Sequence, residues 1–180
     1  MKGNRHTMCV EITHFEDVPK ALRADIDKRA DELDWGDTYG VTEWAGGDWQ
    51  VTVWEGEVWV SMLLLLQRTI IVDGQALSVG GVGSVMTPPE WRGRGYASAA
   101  MRAASVFIRD EIKAPFGLLI CGPHRVHLYG TVGWQVVPGP LSFSQPSGQR
   151  TFPDDTIIMI YPCTEQPWPG GPIDLCGSPW

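Results

Sequence analysis

Between residues 88 and 101 the chain reads PPEWRGRGYASAAM. Arg92, Gly93, Arg94 and Gly95 fill four consecutive positions, and Tyr96, Ala97 and the residues to Met101 contain no helix breaker. The first turn of a helix carries unpaired backbone N–H groups and a partial positive charge. Glycines let that backbone approach a ligand closely, and the two arginines add charge. The chemistry this supports is anion binding, above all of phosphate. The loop matches neither a Walker loop, which needs Gly-Lys-Ser/Thr, nor a dinucleotide G-x-G-x-x-G. Just upstream, Gly80-Gly81-Val82-Gly83-Ser84-Val85 places three glycines in six residues. That is poor strand chemistry unless the strand kinks or something approaches its backbone.

The elements that must position these residues follow from periodicity. Cys9–Phe15 is a short β-like run. Glu16–Leu33 has helical spacing, with Val18, Leu22, Ile26 and Ala30 on one stripe. Asp34–Asp48 is a glycine- and acid-rich loop. Trp49–Trp54, Glu57–Thr69 and Ala76–Thr87 are strands joined by Glu55-Gly56 and Asp73-Gly74, an antiparallel meander. The glycine-arginine loop then leads into a helix reaching about Lys113. Phe116–Cys121 is wholly apolar and so reads as a strand buried on both faces. His124–Val132 is a short helix. Trp134–Val137 and Thr156–Tyr161 are the last strands, separated by a loop rich in Pro, Ser and Gly. The tail 162–180, with five prolines, is expected to be irregular.

At 180 residues, 43% hydrophobic and 19% charged, the chain reads as one domain over 1–180 with a full core. A net charge of −7 argues against a broad nucleic-acid surface and fits a cationic small substrate. MKGNRHTM lacks the apolar core of a signal peptide. The longest apolar run, Val58–Leu66, is too short to span a bilayer, which takes about 20 residues. No membrane association is expected. Cys9, Cys121, Cys163 and Cys176 show no metal-type spacing. They read as reduced thiols of a cytoplasmic protein, Cys163–Cys176 being the pair that could bridge in principle.

Arg92-x-x-Gly95-x-Ala97 resembles the R/Q-x-x-G-x-G/A signature of the Gcn5-related N-acetyltransferases (GNAT), which in that family binds the pyrophosphate of acetyl-coenzyme A. Leu128-Tyr129-Gly130-Thr131-Val132-Gly133-Trp134 is similar to that family's later motif. The resemblance implies an α/β (α+β) fold with a mixed, mostly antiparallel sheet, a splayed central strand and helices on both faces. It implies acetyl-coenzyme A as co-substrate and no metal. It assigns Tyr129 as general acid beside the coenzyme's sulfur, since a thiolate leaving group must be protonated and a phenol of pKa about 10 can supply that proton. The amide of Val85 would face the acetyl carbonyl as an oxyanion donor. Val85, Met86 and Thr87 would run along the pantetheine arm, with Arg92, Gly93, Arg94, Gly95, Tyr96 and Ala97 around the phosphates.

The layout further resembles the aminoglycoside 2'-N-acetyltransferases over nearly the full length. The matches are Gly46-Gly47 before Trp49–Trp54, Val82 to Val85, Trp91-Arg92-Gly93, Leu128-Tyr129 with Gly133-Trp134, Arg150-Thr151-Phe152-Pro153-Asp154-Asp155, and the final Trp180. This implies a polycationic sugar as acceptor, a tail that closes the acceptor site with the Trp180 carboxylate, and a homodimer. Candidate residues for the acceptor are Asp37, Glu43, Gly83, Ser84, Asp154, Asp155 and Trp180, with Asp34, Asp48 and Asp174 as further acids in irregular segments. The family has a Glu in the splayed strand that helps deprotonate the amine, and this chain has Gly83 there. Asp155, Asp154, the Trp180 carboxylate, His124 or His127 are candidates for the base. Loss of that Glu suggests a different or narrower acceptor. One branch of the family acts on kasugamycin, a smaller aminoglycoside with a carboxylated arm, and Arg150, Arg125 or Arg68 could meet such an anion. Another amine, a polyamine or a peptide remains an alternative acceptor. A non-enzymatic acyl-coenzyme A sensor is the alternative of a different class.

Overall fold

The computed structural model describes residues 8–33 and 40–180. Its elements run in the order β1 (Met8–His14), α1 (Lys20–Asp31), β2 (Trp49–Glu55), β3 (Val58–Val72), β4 (Gln75–Met86), α2 (Tyr96–Phe107), β5 (Phe116–Cys121), α3 (Val126–Gly130), β6 (Gln135–Val137), β7 (Leu141–Gln145), β8 (Gly148–Thr151), β9 (Ile157–Pro162) and β10 (Ile173–Asp174). The ten strands form one sheet, ordered β6-β9-β5-β4-β3-β10-β7-β8, with β2 on the same edge of β3 as β10 and β1 outside β2. Only β4–β5 and β10–β7 pair in parallel.

The expected β2–β3–β4 meander is present, turned at Gly56 and Gly74, both at positive φ. Adjacent strand residues point to opposite faces. Leu63, Leu65 and Val82 therefore join α2 residues Ala100, Met101 and Ala104 on one side. On the other side Met62 and Met86 join Ile26 of α1. Helices thus cover both faces, as the resemblance implied. The helix expected from Glu16 begins at Lys20, because Pro19 sets its first turn and Phe15–Asp17 form a separate 3-10 turn. Beyond Phe107 the α2 chain widens into a π-helical turn that ends at Lys113, φ 58°.

Two expectations need correction. The segment read as a Pro-, Ser- and Gly-rich loop contains the β7–β8 hairpin, with Phe143 opposite Arg150. Leu141, Phe143 and Gln145 alternate inward, and Phe143 packs on Phe152 with ring centroids 4.5 Å apart. The tail is not wholly irregular either. Ile173 and Asp174 pair with Val72 and Ile71 of β3 and with Leu141 and Ser142 of β7. Hairpin and tail cover the part of the sheet that α1 does not reach, burying Leu66, Ile70, Val79 and Leu118 under Phe143, Leu175 and Trp180. All four cysteines are free thiols.

Candidate active site

The parallel ladder between β4 and β5 holds only from Val79–Phe116 to Gly81–Leu118. Beyond it the two strands part. In the same stretch β4 breaks register with β3: Leu64 pairs with Gly83 but Met62 pairs with Met86. Ser84 and Val85 therefore oppose Leu63 alone, and Ser84 adopts φ 52°. This is a β-bulge, which withdraws backbone groups from the ladder and re-aims them. The Ser61 hydroxyl pins the outgoing strand, donating to the Met86 carbonyl at 3.0 Å and lying 2.9 Å from the Thr87 hydroxyl.

The three glycines of β4 have a close-approach reason each. A Cβ on Gly80 would lie 2.5 Å from Ile108, at the end of α2. A Cβ on Gly81 would lie 2.5 Å from Trp180 Cε2. One on Gly83 would lie 2.7 Å from the Trp180 main-chain carbonyl carbon. Trp180 is 8% exposed, so the last residue lies packed along the splayed strand. The main chain before it is tied by Leu175 N–H to the Ser142 carbonyl, Ser144 N–H to the Gly177 carbonyl and Ala45 N–H to the Pro179 carbonyl.

On the α2 face the splay opens into a cavity of about 350 Å³. Its wall includes Val85, Met86, Thr87, Arg92, Gly93, Gly95, Tyr96, Ala97 and Tyr129, so the glycine loop and the Tyr motif share one cavity. Gly93 and Gly95 stand at φ 75° and 83° with open space around them. Left-handed backbone, rather than crowding, is what requires glycine there. Gly95 is the N-cap of α2 and its carbonyl accepts the Ala99 N–H at 3.0 Å. Tyr96, Ala97 and Ser98, whose N–H groups precede that first intrahelical bond, border the cavity. Arg92 Nε donates to the Thr87 carbonyl at 3.0 Å, which fixes the loop. Arg94 is placed otherwise: its guanidinium lies over the Trp91 ring, 4.9 Å from the centroid, and does not form the cavity wall.

Tyr129 is 7% exposed on α3. Its carbonyl accepts the N–H groups of Val132 and Trp134, and Trp134 Nε1 donates to Ser105 of α2 at 3.2 Å. Burial pushes the Tyr129 phenol up to about 12, with Cys121 adding to the rise and Arg125 opposing it. The hydroxyl is therefore fully protonated near neutral pH, as a general acid must be before the step. A thiol in the same low-dielectric pocket would also be pushed up, so burial would not by itself mismatch the two groups.

The candidate acceptor residues are less well gathered. Asp34 and Asp37 lie outside the described residues. Glu43 is exposed, but its backbone N–H and carbonyl both bond Gln145, at 3.0 and 2.9 Å. Gln145 Oε1 also accepts the Thr42 N–H and hydroxyl. Asp154 and Asp155 are exposed in the turn before β9. Ile157 pairs with Cys121, so that turn lies past the outer end of β5. Asp48 is engaged by Gln67 N–H, and Asp174 by Gln149 and the Cys176 N–H, which makes them structural acids. His124 accepts a hydrogen bond from Arg125 Nε at 3.1 Å, and neither His124 nor His127 borders the cavity. Arg125 does border it, beside Leu128 and Tyr129. Arg150 is exposed on β8.

Sequence reasoning did not single out Gln145, Leu33, Ser98 or Leu128. The last three join the cavity wall only through packing. A buried Gln on an alternating strand would have been the one available signal for Gln145.

The Acetyltransferase (GNAT) domain model matches residues 16–137, more than half of the chain and both ends of the cavity. The chain belongs to the GNAT acetyltransferase family. Members of this family use acetyl-coenzyme A. Among characterised relatives, an aminoglycoside 2'-N-acetyltransferase of Mycolicibacterium fortuitum is 27% identical over 163 residues, covering 89% of this chain and 81% of that protein. GNAT-fold neighbours include Escherichia coli ElaA, with a TM-score of 0.56 and 15% identity over 86% of this chain and 99% of that one. Arabidopsis thaliana NAA60 in complex with acetyl-CoA has a TM-score of 0.56 and 12% identity, covering 87% and 99%. Among the described residues no helix is long and apolar enough to cross a membrane.

Proposed function

We propose that this GNAT protein transfers the acetyl group of acetyl-coenzyme A to an amino group of an aminoglycoside, the 2'-amine by likeness to its relative. The observation that carries the reading is the likeness to the M. fortuitum enzyme across most of both chains. It is supported by the Trp180 arm packed along the splayed strand and by Tyr129 in the cavity.

In this reading the coenzyme's phosphates meet the N–H groups of the α2 first turn, with Arg92, while its arm runs beside Val85, Met86 and Thr87. The free amine attacks the thioester carbonyl. The oxyanion that forms takes a hydrogen bond from the bulge, at the amide of Val85. The C–S bond then breaks, and Tyr129 gives its proton to the departing sulfur. The amine arrives as an ammonium and must lose a proton first. Gly83 offers no carboxylate, and the Trp180 main chain occupies the place where a side chain at 83 would begin. In a protein that ends at Trp180, that group is a carboxylate and takes the proton through water. Asp154, Asp155 and Glu43 are the acids assigned to the sugar's other ammonium groups, with Ser84 at the bulge.

The test is thiol release from acetyl-coenzyme A with gentamicin, tobramycin, kasugamycin, spermidine and a short peptide as acceptors. Turnover with one or more aminoglycosides is expected, and its pattern separates broad from kasugamycin-type specificity. Turnover confined to spermidine or the peptide would overturn the acceptor assignment and leave the coenzyme site standing. Coenzyme binding with no turnover of any amine would favour the sensor.

A further inference from the structure

The last six residues are held in two different ways. Up to Pro179 the tail is tied by main-chain bonds to β7 and to Ala45. Trp180 is held through its ring, against Gly81 and against Arg68. Arg68 stands in the middle of β3, opposite Val79, and its neighbour-but-one Leu66 stands opposite Gly81. These residues share the face on which the tail lies.

We infer that Arg68 is the positioning residue that fixes the Trp180 arm on the splayed strand, and through it acceptor binding. The inference rests on the reading above that this arm walls the acceptor site. Three contacts carry it. The Arg68 guanidinium carbon lies 5.1 Å from the centroid of the Trp180 ring. Its Nη1 donates to the Ser178 carbonyl at 2.6 Å. A Cβ on Gly177 would come within 3.1 Å of the same nitrogen, so the tail main chain passes directly over it. One side chain thus touches three of the last four residues.

The choice of arginine has a physical reason. A planar guanidinium can lie on an indole face and donate in its own plane at the same time, which an ammonium cannot do. The site also carries a desolvation cost that nearby charges offset only in part. Burial lowers the Arg68 pKa, opposed by Cys176 and Asp48. The ion pairs found among the described residues join Arg29 to Asp25 and Glu90, and Arg109 to Asp110. A half-buried cation in the middle of a strand is retained only if other contacts compensate. Here those contacts are the tail. On this edge β3 supplies little else at this point, because its pairing with β2 stops at Leu65 and its pairing with β10 starts only at Ile71.

Arg68→Met keeps the apolar stem and removes the planar charge, while Arg68→Lys keeps the charge and one donor. Two readouts are taken on each. The first is hydrogen exchange at the amides that tie the tail to β7 and Ala45, which needs no amine substrate. The second is steady-state kinetics with the best acceptor of the amine panel. In Arg68→Met, exchange at Leu175, Ser144 and Ala45, whose N–H groups tie the tail, should quicken at least about ten-fold, the scale of one charged hydrogen bond plus a cation–π contact. Acceptor kcat/KM should fall about ten- to a hundred-fold, while the KM for acetyl-coenzyme A stays within about two-fold. Arg68→Lys should recover part of both. Unchanged exchange in Arg68→Met overturns the inference. Faster exchange with unchanged acceptor kinetics leaves Arg68 as the anchor of the arm and refutes the arm as an acceptor wall.

Discussion

Gly81→Ala adds one methyl group where two elements meet. Gly81 is absent from the positive-φ residues, so alanine suits its backbone. On conformational grounds alone the change should stabilise, by about 0.4–1 kcal/mol. The structure reverses the sign. The new methyl would lie 2.5, 2.7 and 2.9 Å from Trp180 Cε2, Nε1 and Cζ2. Ordinary carbon contacts need about 3.5–4.0 Å, so the ring must retreat by about 1 Å or leave. Full expulsion would expose a side chain that is now 8% exposed. A buried Trp covers about 150–250 Å², worth about 4–6 kcal/mol at about 25 cal/mol per Å². Partial retreat is the cheaper response and costs about 1–3 kcal/mol, the usual range for overpacking. It also loosens the contact with Arg68. Urea unfolding should therefore show a loss of about 1–3 kcal/mol. Acceptor kcat/KM should drop by at least about ten-fold, with coenzyme A affinity within about two-fold. Gly80→Ala is the control. It meets Ile108 at the same 2.5 Å but on the α2 face, so it should lose stability and keep acceptor selectivity. A Gly81→Ala protein as stable as its parent, with full acceptor turnover, would refute the docked arm.

Tyr129→Phe should lower kcat by about 10²–10⁴-fold with little change in either KM, read from initial rates. The folded state holds the phenol up at about 12, above its unfolded value. Between about pH 10 and 12 the unfolded chain therefore releases that proton first, and stability falls as pH rises. Tyr129→Phe should flatten that window in urea titrations. Arg92→Ala removes a loop cation tied to the Thr87 carbonyl. It should raise the KM for acetyl-coenzyme A about ten-fold and weaken its salt dependence, leaving acceptor KM in place. Gln145→Ala strands the Thr42 and Glu43 donors. The loss in urea unfolding should be about 1–3 kcal/mol, and restoration by Gln145→Glu should be poor because the donor to the Glu43 carbonyl is gone.

Much of the fold was legible because its causes are local. Turn glycines at 56 and 74, alternation along β2 to β4 and the unbroken apolar run Phe116–Cys121 each act within a few residues. The glycine-arginine loop was legible for the same reason: positive φ at Gly93 and Gly95 and the free N–H groups of the next helix turn are adjacent in the chain. The β7–β8 hairpin was hidden because Pro, Ser and Gly dominate its composition, and its inward Leu141 and Phe143 matter only once Phe152 and the tail lie against them.

The sequence by itself determined the elements around the cavity: the loop, the helix behind it, the glycine-rich strand and a Tyr on a short helix. It also showed that this strand must kink or be closely approached, since three glycines weaken it. What approaches was decided only by tertiary structure. Ile108 lies on one face, while the Trp180 ring and main chain lie on the other. Placing Trp180 there takes a two-residue strand between β3 and β7, a carbonyl bonded to Ala45 and a guanidinium on β3. Each of those contacts joins residues far apart in the chain. Backbone conformation and periodicity act between neighbours, whereas close packing and the stacking of a cation on a ring depend on which distant surfaces meet.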